Sequence, residues 1–125
     1  MQTANIAIKL TLQGEKIFSY FYLTDLQALG MESGAIANNK IEASTEKVGY
    51  EGSKGRLNGN SCWKPTQNKN TESIKVTFTA PKTVIAIATQ GAPNDGCWVT
   101  SYTLQWYQTG SLKTDPKVKT NTTQL

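Results

Sequence analysis

The chain has 125 residues, enough for one domain burying roughly two thirds of its unfolded surface, and 10 Gly, 4 Pro and abundant Ser, Thr and Asn break it into short apolar runs. Thirteen basic residues, all lysine except Arg56, oppose nine acidic ones for a net charge of +4, but they are scattered singly, so the clustered basic and aromatic footprint of a nucleic-acid binder is absent. Histidine is missing, which removes the commonest general base and zinc ligand; no apolar run reaches the ~18 residues of a spanning helix, and residues 1–16 lack a signal peptide's unbroken apolar core.

In chain order, Ala4, Ile6, Ile8, Leu10 and Leu12 alternate with other residues, the period-two pattern of a half-buried strand over 4–12. Gln13-Gly14-Glu15-Lys16 reads as a turn and 17–23 as a second strand with Phe18, Tyr20 and Tyr22 on one face, so residues 1–25 are expected to form an N-terminal β-hairpin. From Asp25 to Gly34 a loop with at most one helical turn is expected. Residues 36–43 are expected to form a strand that offers Ile36 and Ile41 to a core, and 44–60 reads as long loop in which Val48 and Tyr50 are the sizeable apolar groups. Trp63, beside Lys64-Pro65, reads as a core anchor next to a turn. Ile74, Val76 and Phe78 alternate with Lys75, Thr77 and Thr79, a strand over 74–79 before Pro81.

Strands over 83–89 and 98–107 then flank Gly91, Pro93, Asn94, Asp95 and Gly96, a polar hairpin tip that a packed sheet would hold toward water. Residues 111–125 are polar, rich in Lys and Thr, and read as a mobile tail. Within them Asn121-Thr122-Thr123 fits the N-glycosylation acceptor pattern. The whole pattern favours an all-β domain over long helices.

Catalytic signals are poor. Nine carboxylates show no convergent motif, and Ser and Thr have no histidine to activate them, so the chain is expected not to be an enzyme. The 91–96 tip lacks the lysine and following helix of a phosphate-binding loop. Asn94 and Asp95 carry oxygens of the kind Ca²⁺ prefers but fall short of six to eight ligands, so no cofactor is expected, and a calcium site would need other loops to contribute. Cys62 and Cys97 each precede a tryptophan at the entry to a strand. Two readings stand: half-buried thiols, or a bond tying two loops together for roughly 3–4 kcal/mol and implying an oxidising compartment.

Six ordered motifs carry a resemblance: ALGMESGAI at 28–36, KIEAS at 40–44, GRLN at 55–58, CWKP at 62–65, ATQG at 88–91 and WVTSYTLQW at 98–106. Over about residues 26–110 the chain resembles the discoidin, or coagulation-factor type C, domain family. The resemblance implies an antiparallel jelly-roll-like barrel or sandwich of the galactose-binding-like type, with ligands bound by loops at one end, in extracellular or cell-surface adhesion modules. It also implies that the loops before CWKP and WVTSY share one end, which would bring the Cα atoms of Cys62 and Cys97 within about 7 Å. Ser73, Ile74, Lys75, Val76, Thr77 and Phe78 stand where the family usually has a Trp and an Asp, so an acid partner for Arg56 is missing at that place. By the motifs, the pattern stops at Gly110, short of the family's last strands, leaving the fold incomplete by family standards.

Family ligands are galactose-type sugars, anionic phospholipids and proteins, and the loops separate these by chemistry. Glu46, Lys47, Tyr50, Arg56, Asn58, Asn60, Asn94 and Asp95 supply planar polar groups and an aromatic ring, the mixture a sugar needs. A cell-surface or matrix glycan is therefore the expected partner. For an anionic phospholipid surface, Lys47 and Lys54 offer charge but only Val48 and Tyr50 are candidate wedges. An extracellular protein partner is the third reading.

Overall fold

The computed structural model describes residues 3–11, 28–82, 84, 87, 89–92, 98–108, 110–117 and 119–120; for residues 3–11, 108, 119 and 120 the backbone alone is described. Strands β1 (Thr3–Thr11), β2 (Ile41–Ala43), β3 (Ser73–Thr77), β4 (Trp98–Gln108), β5 (Ser111–Thr114) and β6 (Lys119–Thr120) form one sheet in the order β2-β3-β1-β4-β5, with β6 also on β4. The only helical turns among the described residues are two 3-10 turns, Asn38–Lys40 and Gly52–Lys54. The architecture is all-β, and no closed barrel is traced by the described strands.

Pairs β2·β3, β4·β5 and β4·β6 are antiparallel, while β1 runs parallel to both its neighbours. The register explains why β1 can sit centrally. Ile8 aligns with Ile74 and Leu104, and Leu10 with Val76 and Trp106, so the apolar positions of three strands fall into common rows. A shift between Ala4 and Asn5 leaves Thr100 unmatched on β4, a bulge that bends the entry of the longest strand. On the other parity, Lys75 pairs with Glu42, and Gln105 Nε2 donates to Thr114 Oγ1 at 3.0 Å, a polar row across the sheet.

The core is centred on Ile36, Ile41 and Val76, all buried, with Met31, Ile74, Phe78, Val84, Ile87, Leu104 and Trp106 packed around them. Strand limits in β1, β3 and β4 fall within two residues of those read from alternation. Over 36–43 only 41–43 is strand, because Asn38–Lys40 closes a 3-10 turn with Lys40 N–H on Ala37 O at 2.9 Å. Within 83–89, the described Val84, Ile87 and Thr89 lie outside any strand. Val84 and Ile87 both contact the core, and a spacing of three cannot keep two side chains on one face of a flat strand. The expected strand at 17–23 lies outside the described residues.

The segment expected as a mobile tail is corrected in part. Ser111–Thr114 and Lys119–Thr120 pair with β4, and Asp115 N–H donates to Leu104 O at 2.9 Å. Gly110, at φ 79°, makes the tight return. All four β5 residues are exposed, so no apolar alternation marked the strand. Residues 28–34 are loop and turn, in line with the loop expected there, with Gly30 at φ 116° and Gly34 at φ 83°.

Candidate functional site

Between β2 and β3 the chain makes a long excursion that carries most of the residues expected to bind ligand. Its projecting feature is the turn Lys47-Val48-Gly49-Tyr50. Tyr50 N–H donates to Lys47 O at 2.9 Å, and Gly49 takes φ 84° at the position where such a turn needs a left-handed residue. Main-chain bonds fasten the turn to the loop segment at Lys64: Lys47 N–H to Lys64 O at 2.9 Å and Lys64 N–H to Tyr50 O at 3.1 Å. Val48 at the tip is 98% exposed. The Lys64 ammonium sits 4.1 Å from the Tyr50 ring centroid, so a cation covers one face of that aromatic.

Carboxylates brace the turn from behind. Glu51 Oε1 accepts Gly49 N–H at 2.7 Å and Glu46 Oε2 accepts Gly52 N–H at 2.9 Å. The Glu51 carboxyl is held below its ordinary value, first by its own main-chain N–H, then by that of Gly49, with a smaller contribution from the Lys54 charge. Beneath lies a polar knot that sequence reading missed. Glu72, 5% exposed, accepts hydroxyls from Ser44 and Thr45, each at 2.6 Å. Those hydroxyls in turn accept Ser73 N–H at 2.8 Å and Thr66 N–H at 3.1 Å, and Trp63 Nε1 donates to Thr45 O at 2.8 Å. The signal available was KIEAST, hydroxyls directly after a strand, but their partner stands 27 residues or more away in sequence.

The other expected residues belong to a separate network. Arg56 donates from Nη1 to Met31 O at 2.8 Å and from Nη2 to Ile36 O and Asn38 Oδ1, both at 2.7 Å. Its guanidinium thus caps main-chain carbonyls instead of facing an acid. Asn58, at φ 55°, receives Gln90 Nε2 on its Oδ1 at 3.2 Å and donates from Nδ2 to Glu32 Oε1 at 2.9 Å. Asn60 is exposed. Asn94, Asp95, Cys97 and Asn121 lie outside the described residues, so a Cys62–Cys97 bond stands as a proposal; Cys62 itself is half-buried. Among the described residues no cluster of three metal-capable side chains occurs, and no helix is long and apolar enough to cross a membrane.

The structure is an all-β sheet with long loops braced by hydrogen bonds and a turn holding an apolar side chain in water, and loops held in this way on a packed sheet are where binding residues are most often found. The chain belongs to the F5/8 type C, or discoidin, family: the family model matches residues 7–124, beyond the motif-bearing stretch at both ends. It is 40% identical to human neuropilin-2 over 84 residues, 62% of this chain and 9% of that protein. It is 31% identical to coagulation factor V of Sus scrofa over 114 residues, 83% of this chain, and 30% identical to that of Bos taurus over 118 residues, 84% of this chain. The chain spans 5% of the length of each factor V. No solved structure gives a significant match. Membership makes the domain a binding module of a generally non-catalytic class.

Proposed function

We propose that this domain is a peripheral recognition module that touches an anionic phospholipid surface through the Lys47–Tyr50 turn, in an extracellular setting. The observation that carries the reading is Val48, 98% exposed at the tip of a turn whose backbone is braced on both sides. An apolar side chain held in water has most to gain from an apolar phase, about 1.5–3 kcal/mol for valine. Lys47, Lys54 and Lys64 stand in the same loop region, and a lysine near an anionic surface contributes about 1 kcal/mol. The sum supports weak, reversible attachment, strengthened where several such domains act together.

The carbohydrate reading has less support. Lys64 covers one Tyr50 face that a sugar ring would stack on, and Arg56 and Asn58 are occupied with partners inside the protein. A single experiment separates the two: sedimentation with phosphatidylcholine vesicles, with and without phosphatidylserine, beside a galactose-type glycan panel. Serine-lipid-dependent binding that weakens at least several-fold in Val48→Asp and strengthens in Val48→Leu is the expected result. Retention on the glycans, with vesicle binding absent or indifferent to Val48, would overturn the proposal in favour of a sugar ligand.

A further inference from the structure

Asn58-Gly59 is the one Asn-Gly dipeptide in the chain. Glycine lacks the Cβ that shields a following nitrogen, so this is the peptide bond most open to attack on a preceding asparagine amide. The amide here is also a fastener. Its Nδ2 donates to Glu32 Oε1 at 2.9 Å, its Oδ1 accepts Gln90 Nε2 at 3.2 Å, and the Asn58 main-chain N–H donates to Gln90 Oε1 at 2.6 Å. Three loops, around residues 32, 58 and 90, meet on one exposed side chain. The nitrogen that would attack is engaged as well, since Gly59 N–H donates to Arg56 O at 3.2 Å.

We propose that Asn58 is a site of spontaneous deamidation held in check by Glu32 and Gln90, and that its conversion to a carboxylate unfastens these three loops. In the step, the Gly59 nitrogen loses its proton and bonds to Asn58 Cγ, the Cγ–Nδ2 bond breaks, and the departing nitrogen leaves as ammonia. Solvent water then opens the cyclic imide at either carbonyl, giving aspartate or its β-linked isomer; no electrons are exchanged. The folded arrangement opposes the first bond, because both side-chain hydrogen bonds and the Gly59 bond must open before Cγ and nitrogen can meet. The product reverses the polarity of the latch. An oxygen replaces the nitrogen that faced Glu32, so a hydrogen bond is lost and two carboxylates confront each other. This inference is independent of the lipid reading, because the latch shares no hydrogen bond with the Lys47–Tyr50 turn.

Asn60, exposed two residues further on and followed by Ser61, is the internal reference. The purified chain is held at mildly alkaline pH, digested, and conversion at Asn58 and Asn60 is separated by fragment-ion mass spectrometry. Asn58 is expected to convert at least about tenfold faster in urea than in buffer, and several-fold faster in Gln90→Ala than in the native sequence, with Asn60 unchanged. Asn58→Asp, the product mimic, is expected to lower Tm by about 3 °C, and Glu32→Gln in that background to restore most of the loss. Equal rates in urea and buffer, indifference to Gln90→Ala, a rate increase shared by Asn60, or an unchanged Tm in Asn58→Asp would each overturn the proposal.

Discussion

Replacing Arg56 with alanine separates a structural clamp from a ligand contact. Two of its three hydrogen bonds, to Met31 O and Ile36 O, are part-buried, and the third, to Asn38 Oδ1, is exposed. Charge-assisted bonds of the part-buried kind are worth about 1–1.5 kcal/mol each after discounting for solvent, and the exposed one about 0.5, giving about 3 kcal/mol in all. The loss bears on the core directly, since Ile36 is 7% exposed and its carbonyl would lose this charged partner. For a chain of this length that corresponds to a fall in Tm of about 10–15 °C. Arg56→Lys, whose ammonium cannot span two carbonyls, should recover about a third of it. Thermal unfolding followed by circular dichroism measures both. A Tm within about 2 °C of the native chain, together with loss of vesicle or glycan binding, would refute the clamp and return Arg56 to the ligand surface.

Three further outcomes follow from the geometry. Gly30→Ala should cost about 2–4 kcal/mol in denaturant unfolding, because at φ 116° its Cβ would sit 2.8 Å from Ala35 Cβ and 3.0 Å from Ile36 N; a change below about 0.5 kcal/mol refutes it. Glu72→Ala should cost about 2–4 kcal/mol by stranding the Ser44 and Thr45 hydroxyls, and Glu72→Gln less, since one acceptor oxygen remains; equal effects would show that the hydroxyl bonds contribute little. Because the folded state lowers the Glu51 pKa, its stabilisation is complete above the unfolded carboxyl value and is lost as pH falls through the folded one. Carboxyl NMR titration should place its midpoint below that of an unfolded glutamate, and a midpoint at or above it counts against the turn geometry.

What could be read from the sequence follows the physics of burial. β1, β3 and β4 were legible because their apolar rows align in register, so each strand alternates for the same reason its neighbour does. β5 was not, because every residue in it faces solvent and its place is set by β4's edge rather than by hydropathy. Within 83–89 the apolar run promised a strand, yet the described Val84 and Ile87 reach the core from backbone outside any strand. The parallel pairings of β1 lay beyond any local pattern, since strand direction is decided by partners about 65 to 95 residues distant.

For the loops, composition alone does not separate a ligand contact from an internal hydrogen bond, for a definite reason. Polar residues at a loop are donors and acceptors whether or not a ligand exists, and in a long excursion most of them satisfy the protein's own backbone first. Arg56 and Glu46 do so here, and the Asn58 amide is taken up by the side chains of Glu32 and Gln90. An apolar side chain carries the opposite information: it has no internal hydrogen bond to justify an exposed position, and folding ordinarily draws it inward. Val48 is kept out because Gly49 must occupy the left-handed position of the turn and because Lys47 and Tyr50 are tied to Lys64 by backbone bonds, so the tip cannot rotate inward without breaking them. The side chain that the sequence marked as a meagre wedge is therefore the one whose exposure the fold enforces, and it is this exposure that the proposed lipid contact rests on.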